Sequence, residues 1–132
     1  MIDERNTPYL LLGGEGPVRA LAKRFYEVMY EREPALTRLH ACDETGRVTA
    51  EMQERFALFL IGWLGGPQTY MATHGHPRLR MRHAHVRVDA PMRDAWLRAM
   101  TAAMDDQGVQ GEVRAFLDTR LAELADFLRN AR

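Results

Sequence analysis

Four stretches of this chain repeat apolar residues every three or four positions, and this spacing restricts the fold more than any other feature. The stretches run over 18–29, 48–63, 91–104 and about 112–128. Apolar residues at this spacing share one face of an α-helix, and that face needs a partner to cover it. No segment shows a sustained alternation of apolar and polar residues with β-branched side chains, as a half-buried strand would. The sequence therefore predicts an all-α fold.

The length and the charge balance narrow the class of protein further. A chain of 132 residues fits a single domain over 1–132, with 1–7 as an irregular N-terminal segment. Eighteen basic and eighteen acidic residues cancel, so no overall field attracts nucleic acid or an anionic membrane. The longest apolar run, 56–64, is too short to span a bilayer, and the N-terminus lacks a signal-peptide pattern. We therefore expect a cytoplasmic protein without nucleic-acid or membrane partners.

Four of the five histidines lie between His74 and His85. Neutral imidazole binds zinc, copper, iron and nickel, so this clustering raises the expectation of a metal site. A zinc site needs three or four converging ligands, but the chain has one cysteine, Cys42, and no His-Glu-x-x-His motif. Haem needs one axial histidine, an apolar slot and partners for its propionates. The plainer interpretation is that these histidines cap helix ends or lie in solvent.

His83 fits the axial role by its position. It follows Leu79 by four residues, so the two share a face if Pro77 opens a short helix. Neighbouring arginines, including Arg82, are available for carboxylates, and Arg55 lies at the edge of an apolar face. That face, which could form the slot or belong to an ordinary core, consists of Met52, Phe56, Phe59 and Leu60.

An ordered set of motifs extends along the chain from about Pro8 to Leu128. It consists of Gly-Gly-Glu at 13–15, Phe-Tyr at 25–26, Trp-Leu-Gly-Gly-Pro at 63–67, His-Gly-His-Pro-Arg-Leu-Arg-Met-Arg-His at 74–83 and Arg-Asp-Ala-Trp at 93–96. A glycine pair alone is weakly specific, whereas the last two motifs in this order are strongly specific. In this arrangement the chain resembles the truncated haemoglobins, and within them group II.

The resemblance implies a truncated globin fold, a two-over-two helical sandwich around haem b (iron protoporphyrin IX). His83 matches the proximal iron ligand of the family. Tyr26 and Trp96 match distal residues that donate hydrogen bonds to a bound ligand. His40 matches a corner position that is often Phe or Tyr, and we expect it to donate as well. Arg55 matches a basic residue that pairs with a haem propionate.

The remaining residues predicted to line the haem pocket come from four parts of the chain: Met52, Phe56, Phe59, Leu60, Tyr70, Leu79, Arg82, Val86 and Met100. The sequence after His83 departs from the commonest family pattern, because His85 stands where many relatives have proline. His85 is therefore a rival for the iron. We favour His83, which shares the face of Leu79 and matches the family motif.

The resemblance also implies that the protein binds O2 and other diatomic ligands, such as CO and NO. Each hydrogen bond donated to a partly charged ligand contributes roughly 1.5–3 kcal/mol, so several of them would slow ligand release. Slow release suits redox chemistry with O2, NO or peroxide better than bulk oxygen transport.

Several properties stay open at the level of sequence. A peroxidase or NO dioxygenase activity would need a separate electron donor, because the chain contains no reductase domain. Monomer and homodimer are equally compatible with the sequence. The alternative from another class is a haem-free helical interaction or sensor module with an incidental histidine cluster.

Overall fold

The computed structural model describes residues 2–132, and its regular structure is helical. In chain order the helices of that range are α1 (Pro8–Leu12), α2 (Glu15–Arg32), α3 (Pro34–Thr37), α4 (Ala50–Trp63), α5 (Thr69–His74), α6 (Leu79–Arg82), α7 (Ala90–Asp106) and α8 (Gly111–Leu128). The long helices α2, α4, α7 and α8 coincide with the four apolar stretches. Within residues 2–132, β pairing is confined to an isolated bridge between Cys42 and Val48. The prediction of an all-α fold is confirmed.

Side chains at the helix starts set where α4 and α7 begin. Thr49 precedes α4 and its hydroxyl accepts a hydrogen bond from the Met52 N–H at 3.2 Å. Asp89 precedes α7 and accepts in the same way from the Met92 N–H at 3.0 Å. Both contacts satisfy an N–H that has no partner inside the helix. Pro91 lies in the first turn of α7, where its fixed φ and missing N–H cost nothing.

The core forms where α2 packs against both α4 and α7, while α8 packs against α7. The ring of Phe25 lies at this junction, with its centroid 5.3 Å from both Phe56 and Trp96. The largest fully buried side chains are Val18, Phe25, Val28, Met29, Leu60, Ile61, Leu64, Met100, Met104 and Leu117. Burying one such side chain contributes about 1.5–3 kcal/mol. Packing of the four long helices therefore carries most of the stability.

The glycine pair after α4 lets the first short helix pack closely against it. The Tyr9 N–H of α1 donates to the Leu64 carbonyl at 2.9 Å. A Cβ atom on Gly66 would lie 2.6 Å from the Tyr9 ring, and one on Gly65 would lie 2.8 Å from Thr7. Gly65 also has a φ of 96°, which side chains rarely allow. Both glycines are therefore required by this contact.

Residues 2–7 lead into α1 as bends, in which Asp3 and Asn6 exchange backbone hydrogen bonds at 3.2 Å. Residue 1 of the segment expected to be irregular lies outside the described residues. No helix within the described range combines the length and the apolar character needed to cross a membrane.

Candidate functional site

A cavity of about 470 Å³ opens between the helices, and its wall is mostly apolar. Its volume lies in the range of sites that bind small molecules and cofactors. Most of the residues singled out from the sequence meet here: Tyr26, His40, Met52, Arg55, Phe56, Phe59, Tyr70, Leu79, Arg82, His83, Val86 and Trp96. These residues are separated by up to 70 positions in the chain (from 26 to 96), so the fold itself assembles the site.

Two of the predicted pocket residues, Leu60 and Met100, belong to the core and are absent from the cavity wall. Their side chains are 2% and 1% exposed. Leu60 lies on the buried face of α4 together with Ala57 and Ile61. Met100 lies one turn beyond Trp96, in the part of α7 that packs into the helical core. The helical spacing of apolar residues does not by itself distinguish side chains that border the cavity from those packed behind them.

The cavity wall also contains residues that were not predicted to line it: Leu36, Leu39, Ala41, Val88, Met92, Arg93, Leu124, Ala125 and Leu128. His85, the rival for the iron, lines it as well. Helical spacing could have identified Met92, which lies four residues before Trp96 on the same helix. Leu124 and Leu128 lie on the apolar stripe of α8, where a lining role cannot be distinguished from a core role.

The ring of His83 is oriented by a backbone carbonyl. Its Nδ1 lies 2.7 Å from the Leu79 carbonyl oxygen, which also accepts the His83 backbone N–H at 3.0 Å. A carbonyl can only accept, so Nδ1 carries a proton, and in the neutral ring Nε2 then has a lone pair. His83 lines the cavity. An imidazole held through one nitrogen by a carbonyl, with the other nitrogen free, is typical of a metal-binding histidine.

The short helix before His83 begins later than the sequence indicated. Pro77 does not open it, because Arg78 adopts a left-handed conformation with a φ of 45° and α6 begins at Leu79. The Arg78 N–H donates to Nδ1 of His76 at 3.0 Å, which holds this turn. His83 therefore caps α6 and does not lie inside it, yet it keeps the expected contact with Leu79.

The other histidines of the cluster lie in different surroundings. The His74 ring packs against Tyr70, with 5.0 Å between their centroids, while His76 takes part in the turn before α6. His85 is exposed, and within residues 2–132 no hydrogen bond orients its ring. His83 thus differs from His85 in having a ring fixed in one tautomer.

Two side chains with a hydrogen-bond donor, Tyr26 on α2 and Trp96 on α7, line the cavity. Tyr26 is 6% exposed, and its ring contacts those of Phe25 and Phe56 at centroid distances of 5.2 and 5.6 Å. Burial raises the pKa of the Tyr26 hydroxyl, so the hydroxyl keeps its proton. Among residues 2–132, neither this hydroxyl nor the Trp96 indole N–H has a hydrogen-bond partner. No fully buried side-chain polar atom of residues 2–132 lacks a partner, so both donors keep some accessible surface, and an open donor can bind a ligand that accepts.

His40 lines the cavity beside Tyr26, with 6.0 Å between their ring centroids. Its Nδ1 donates to the Leu36 carbonyl at 3.0 Å. Burial lowers the pKa of His40, an effect that this hydrogen bond partly opposes. A neutral His40 then presents an unprotonated Nε2. In this state Nε2 can accept a hydrogen bond but cannot donate one, so the donor role expected from the sequence would need a protonated ring.

Basic side chains border the cavity where an anionic group would find partners. The Arg55 side chain is 37% exposed and pairs loosely with Glu51, with 3.5 Å between nitrogen and oxygen. Arg82 uses its Nε to donate to the Pro77 carbonyl at 2.7 Å, which leaves its terminal nitrogens available. The guanidinium of Arg93 is engaged by two aspartates. Arg55 and Arg82 are therefore the cations best placed for carboxylates.

Proteins of known family resemble this chain over nearly its full length. The sequence profile of the bacterial-like globins matches residues 7–130. The group 2 truncated hemoglobin YjbI of Bacillus subtilis is 38% identical over 128 residues, which cover 95% of this chain and 89% of that protein.

Two solved structures share the fold closely. The group II 2-on-2 hemoglobin of Agrobacterium tumefaciens has a TM-score of 0.87 at 34% identity, with 100% of both chains covered. The truncated oxygen-avid haemoglobin of Bacillus subtilis has a TM-score of 0.83 at 37% identity, covering 95% of this chain and 100% of that one.

The helical architecture and these similarities together define the class of protein. The chain belongs to the bacterial-like globin family. Within that family its relatives are group II truncated haemoglobins. The resemblance noted in the sequence and the two-over-two helical fold that it implies are both confirmed.

Proposed function

We propose that this truncated haemoglobin holds haem b in the cavity and binds O2 or another small diatomic ligand there. The observation that carries the proposal is the hydrogen bond of His83 at the cavity wall: its Nδ1 donates to the Leu79 carbonyl at 2.7 Å, which leaves Nε2 as the ring nitrogen for a metal. Haem, when bound, supplies the iron that coordinates the diatomic ligand. The group 2 truncated hemoglobin of Bacillus subtilis, similar along 95% of this chain, supports the assignment.

The chemistry of the cavity wall fits haem in three respects. The rings of Phe56 and Phe59 provide an apolar surface for a flat macrocycle, with 6.3 Å between their centroids. Arg55 and Arg82 border the same cavity and would hold the two propionates. His83 would be the axial ligand, and the carbonyl of Leu79 would keep its ring in place.

On the distal side, which is the side of Tyr26 and Trp96, this chain's residues would hold the diatomic ligand by hydrogen bonds. Each donor is free and borders the cavity. The aromatic surroundings of Tyr26 exclude water, so a hydrogen bond to a partly charged ligand contributes roughly 1.5–3 kcal/mol. Together the two donors would slow ligand release by orders of magnitude. The similar haemoglobin from Bacillus subtilis is described as oxygen-avid, which supports this part of the proposal.

A protein that releases O2 slowly is poorly suited to bulk oxygen transport. We therefore propose redox chemistry with O2, NO or peroxide, with electrons supplied by a separate donor. A neutral His40 favours this function, because its unprotonated Nε2 offers a hydrogen-bond acceptor inside the cavity that peroxide could use and O2 could not.

Titration of the apoprotein with haemin tests the proposal. We expect a Soret band that saturates at one haem per chain and survives gel filtration, and a shift of that band when CO is added to the reduced protein. Absence of a saturable band would contradict the proposal and favour the haem-free helical module. An apoprotein with intact helical circular dichroism is the necessary control.

A further inference from the structure

The segment after α8 is joined by hydrogen bonds to the segment that begins at His83, and Asn130 makes most of them. The Asn130 Nδ2 donates to the carbonyls of His83 at 3.2 Å and Val86 at 2.9 Å, while Oδ1 accepts the Val88 N–H at 2.8 Å. The backbone N–H groups of Asn130 and Ala131 both donate to the Val88 carbonyl, at 2.8 and 3.1 Å. One residue therefore fastens three positions of the segment 83–88.

The chemistry of these contacts requires a side-chain amide. An amide presents two N–H donors and one acceptor at the same end of a side chain. Asn130 uses both donors on carbonyls and its oxygen on an N–H, so all its hydrogen-bonding groups are used. An ionised carboxylate of the same size has no donor and would face the carbonyl oxygens of His83 and Val86 with a negative charge.

His83 needs support from outside its own helix. The helix before it, α6, has four residues (Leu79–Arg82), far fewer than a helix needs to be stable by itself. As the C-terminal cap of α6, His83 lies where the helical hydrogen bonds stop, and a turn bond from the Val86 N–H at 3.1 Å continues the chain. The carbonyl of His83 accepts this bond and a second one from the Asn130 side chain at 3.2 Å, and the second bond links it to a residue 47 positions away.

We propose that Asn130 is a positioning residue for His83. It fixes the backbone on the C-terminal side of His83, while Leu79 fixes the ring. The inference rests on the proposed function, in which His83 is the axial ligand of haem. Loss of a group that orients a metal ligand typically lowers metal affinity by about 10–100-fold, so Asn130 governs haem retention without touching haem.

Two substitutions separate positioning from general stabilisation. Asn130→Asp keeps the size of the side chain and the acceptor for Val88, but it removes both donors. Arg87→Ala is the matched control, because Arg87 joins the same two segments by donating to the Arg132 carbonyl at 2.7 Å and does not contact His83. The control removes a link between the same two segments, together with an ion pair to Asp89 at 3.5 Å, and leaves the hydrogen bonds of Asn130 to the segment 83–88 in place.

The haem-bound protein gives the first readout. We expect Asn130→Asp to shift or broaden the iron–histidine stretching band of the reduced protein in resonance Raman spectra. We also expect it to speed haem transfer to excess apomyoglobin about tenfold, whereas Arg87→Ala leaves both near wild type. An unchanged band in Asn130→Asp, or an equal change in Arg87→Ala, would overturn the proposal.

The apoprotein gives a second readout that does not depend on haem. Hydrogen–deuterium exchange of the amides of 83–88 should be faster in Asn130→Asp than in Arg87→Ala or wild type. Equal exchange in all three proteins would show that Asn130 does not hold this segment. If wild-type protein retains no haem, the proposed function fails, while this exchange measurement still decides whether Asn130 positions His83.

Discussion

The two walls of the cavity are held in place in different ways. The distal wall, which includes Tyr26, Phe56 and Trp96, comes from the long helices α2, α4 and α7, whose rings contact one another around Phe25. The proximal wall, which includes His83, comes from the four-residue helix α6 and the segment after it. Packing fixes the first wall, whereas hydrogen bonds fix the second, and many of these lie at exposed positions.

This difference predicts where the molecule opens most readily. Phe25 behind the distal wall is 1% exposed, whereas Met81 on α6 is 61% exposed. A region with few buried apolar contacts and solvent-exposed hydrogen bonds opens at a lower free energy than the core does. We therefore expect changes on the proximal side to control haem retention, and changes on the distal side to control the release of the diatomic ligand.

The largest effect should follow the loss of the proximal imidazole. His83→Leu removes the imidazole that the Leu79 carbonyl orients beside α6, so stoichiometric haem binding should be lost. The midpoint of thermal unfolding in the presence of haem should fall toward that of the apoprotein, because a ligand bound to the native state stabilises it by mass action. Soret titration and thermal melts measure the two effects.

His85→Leu is the control for this substitution, since His85 also lines the cavity but its ring is not oriented by a hydrogen bond within residues 2–132. It should bind haem with spectra like those of the wild type. Normal spectra in His83→Leu together with disturbed spectra in His85→Leu would assign the iron to His85.

The distal wall should respond in the rate of O2 release. Tyr26→Phe and Trp96→Phe each remove one donor and keep an aromatic ring, so the packing around Phe25 survives. Each change should raise the O2 dissociation rate about tenfold or more, because a charge-assisted hydrogen bond is lost in a dry cavity. Stopped-flow mixing of oxygenated protein with a scavenger of O2 measures the rate.

The double variant Tyr26→Phe/Trp96→Phe tests whether the two donors share one acceptor. The effects should then be non-additive, because groups in one hydrogen-bond network are coupled. CO release should change far less, since CO is a weaker acceptor. Wild-type O2 release in both single variants, with haem retained, would contradict the polar distal wall and the argument for redox chemistry.

His40 should have a smaller effect that depends on pH. Burial lowers the pKa of His40 below its ordinary value of 6.5, so the ring is neutral at pH 7. Its Nδ1–H donates a hydrogen bond to the Leu36 carbonyl. At pH 7, His40→Phe should therefore leave O2 release within about twofold of wild type, because no donor is removed.

Below pH 6.5, protonation of His40 determines whether O2 release becomes slower or faster. The charged ring has a second N–H, so O2 release in the wild type should slow as the pH falls through the lowered pKa. In the apoprotein the same lowered pKa contributes stability at high pH that is lost as the pH falls below 6.5. Both pH dependences should weaken in His40→Phe. Curves parallel to those of the wild type would show that His40 is not the titrating group responsible.

The distinction between the two walls also explains how much could be predicted from the sequence. The long helices of the distal wall could be predicted from apolar spacing, because residues buried on one face of a helix recur every three or four positions. The contact of His83 with Leu79 also follows from their spacing of four. Asn130 could not be predicted, because its partners lie 42 to 47 positions away. The contact of His40 with the Leu36 carbonyl has the same spacing of four, but the apolar spacing did not predict the short helix α3 that positions Leu36.

The smallest effect should come from Arg55, which lies on the distal helix α4 but would serve haem retention. Its side chain is 37% exposed and its present partner, Glu51, is 85% exposed. Solvent would therefore screen the interaction of Arg55 with a propionate. Exposed ion pairs contribute about 0–1 kcal/mol, and Arg55→Ala should therefore raise the rate of haem loss by no more than about fivefold.

The comparison between Arg55→Ala and Asn130→Asp then tests the assignment of haem retention to the proximal wall. Both are measured by haem transfer to apomyoglobin, at low and at high salt. The effect of Arg55→Ala should shrink as salt rises, because screening weakens an exposed pair, whereas the effect of Asn130→Asp should persist. A loss in Arg55→Ala as large as in His83→Leu would show that the propionate edge, and not the axial histidine with its supporting segment, holds the haem.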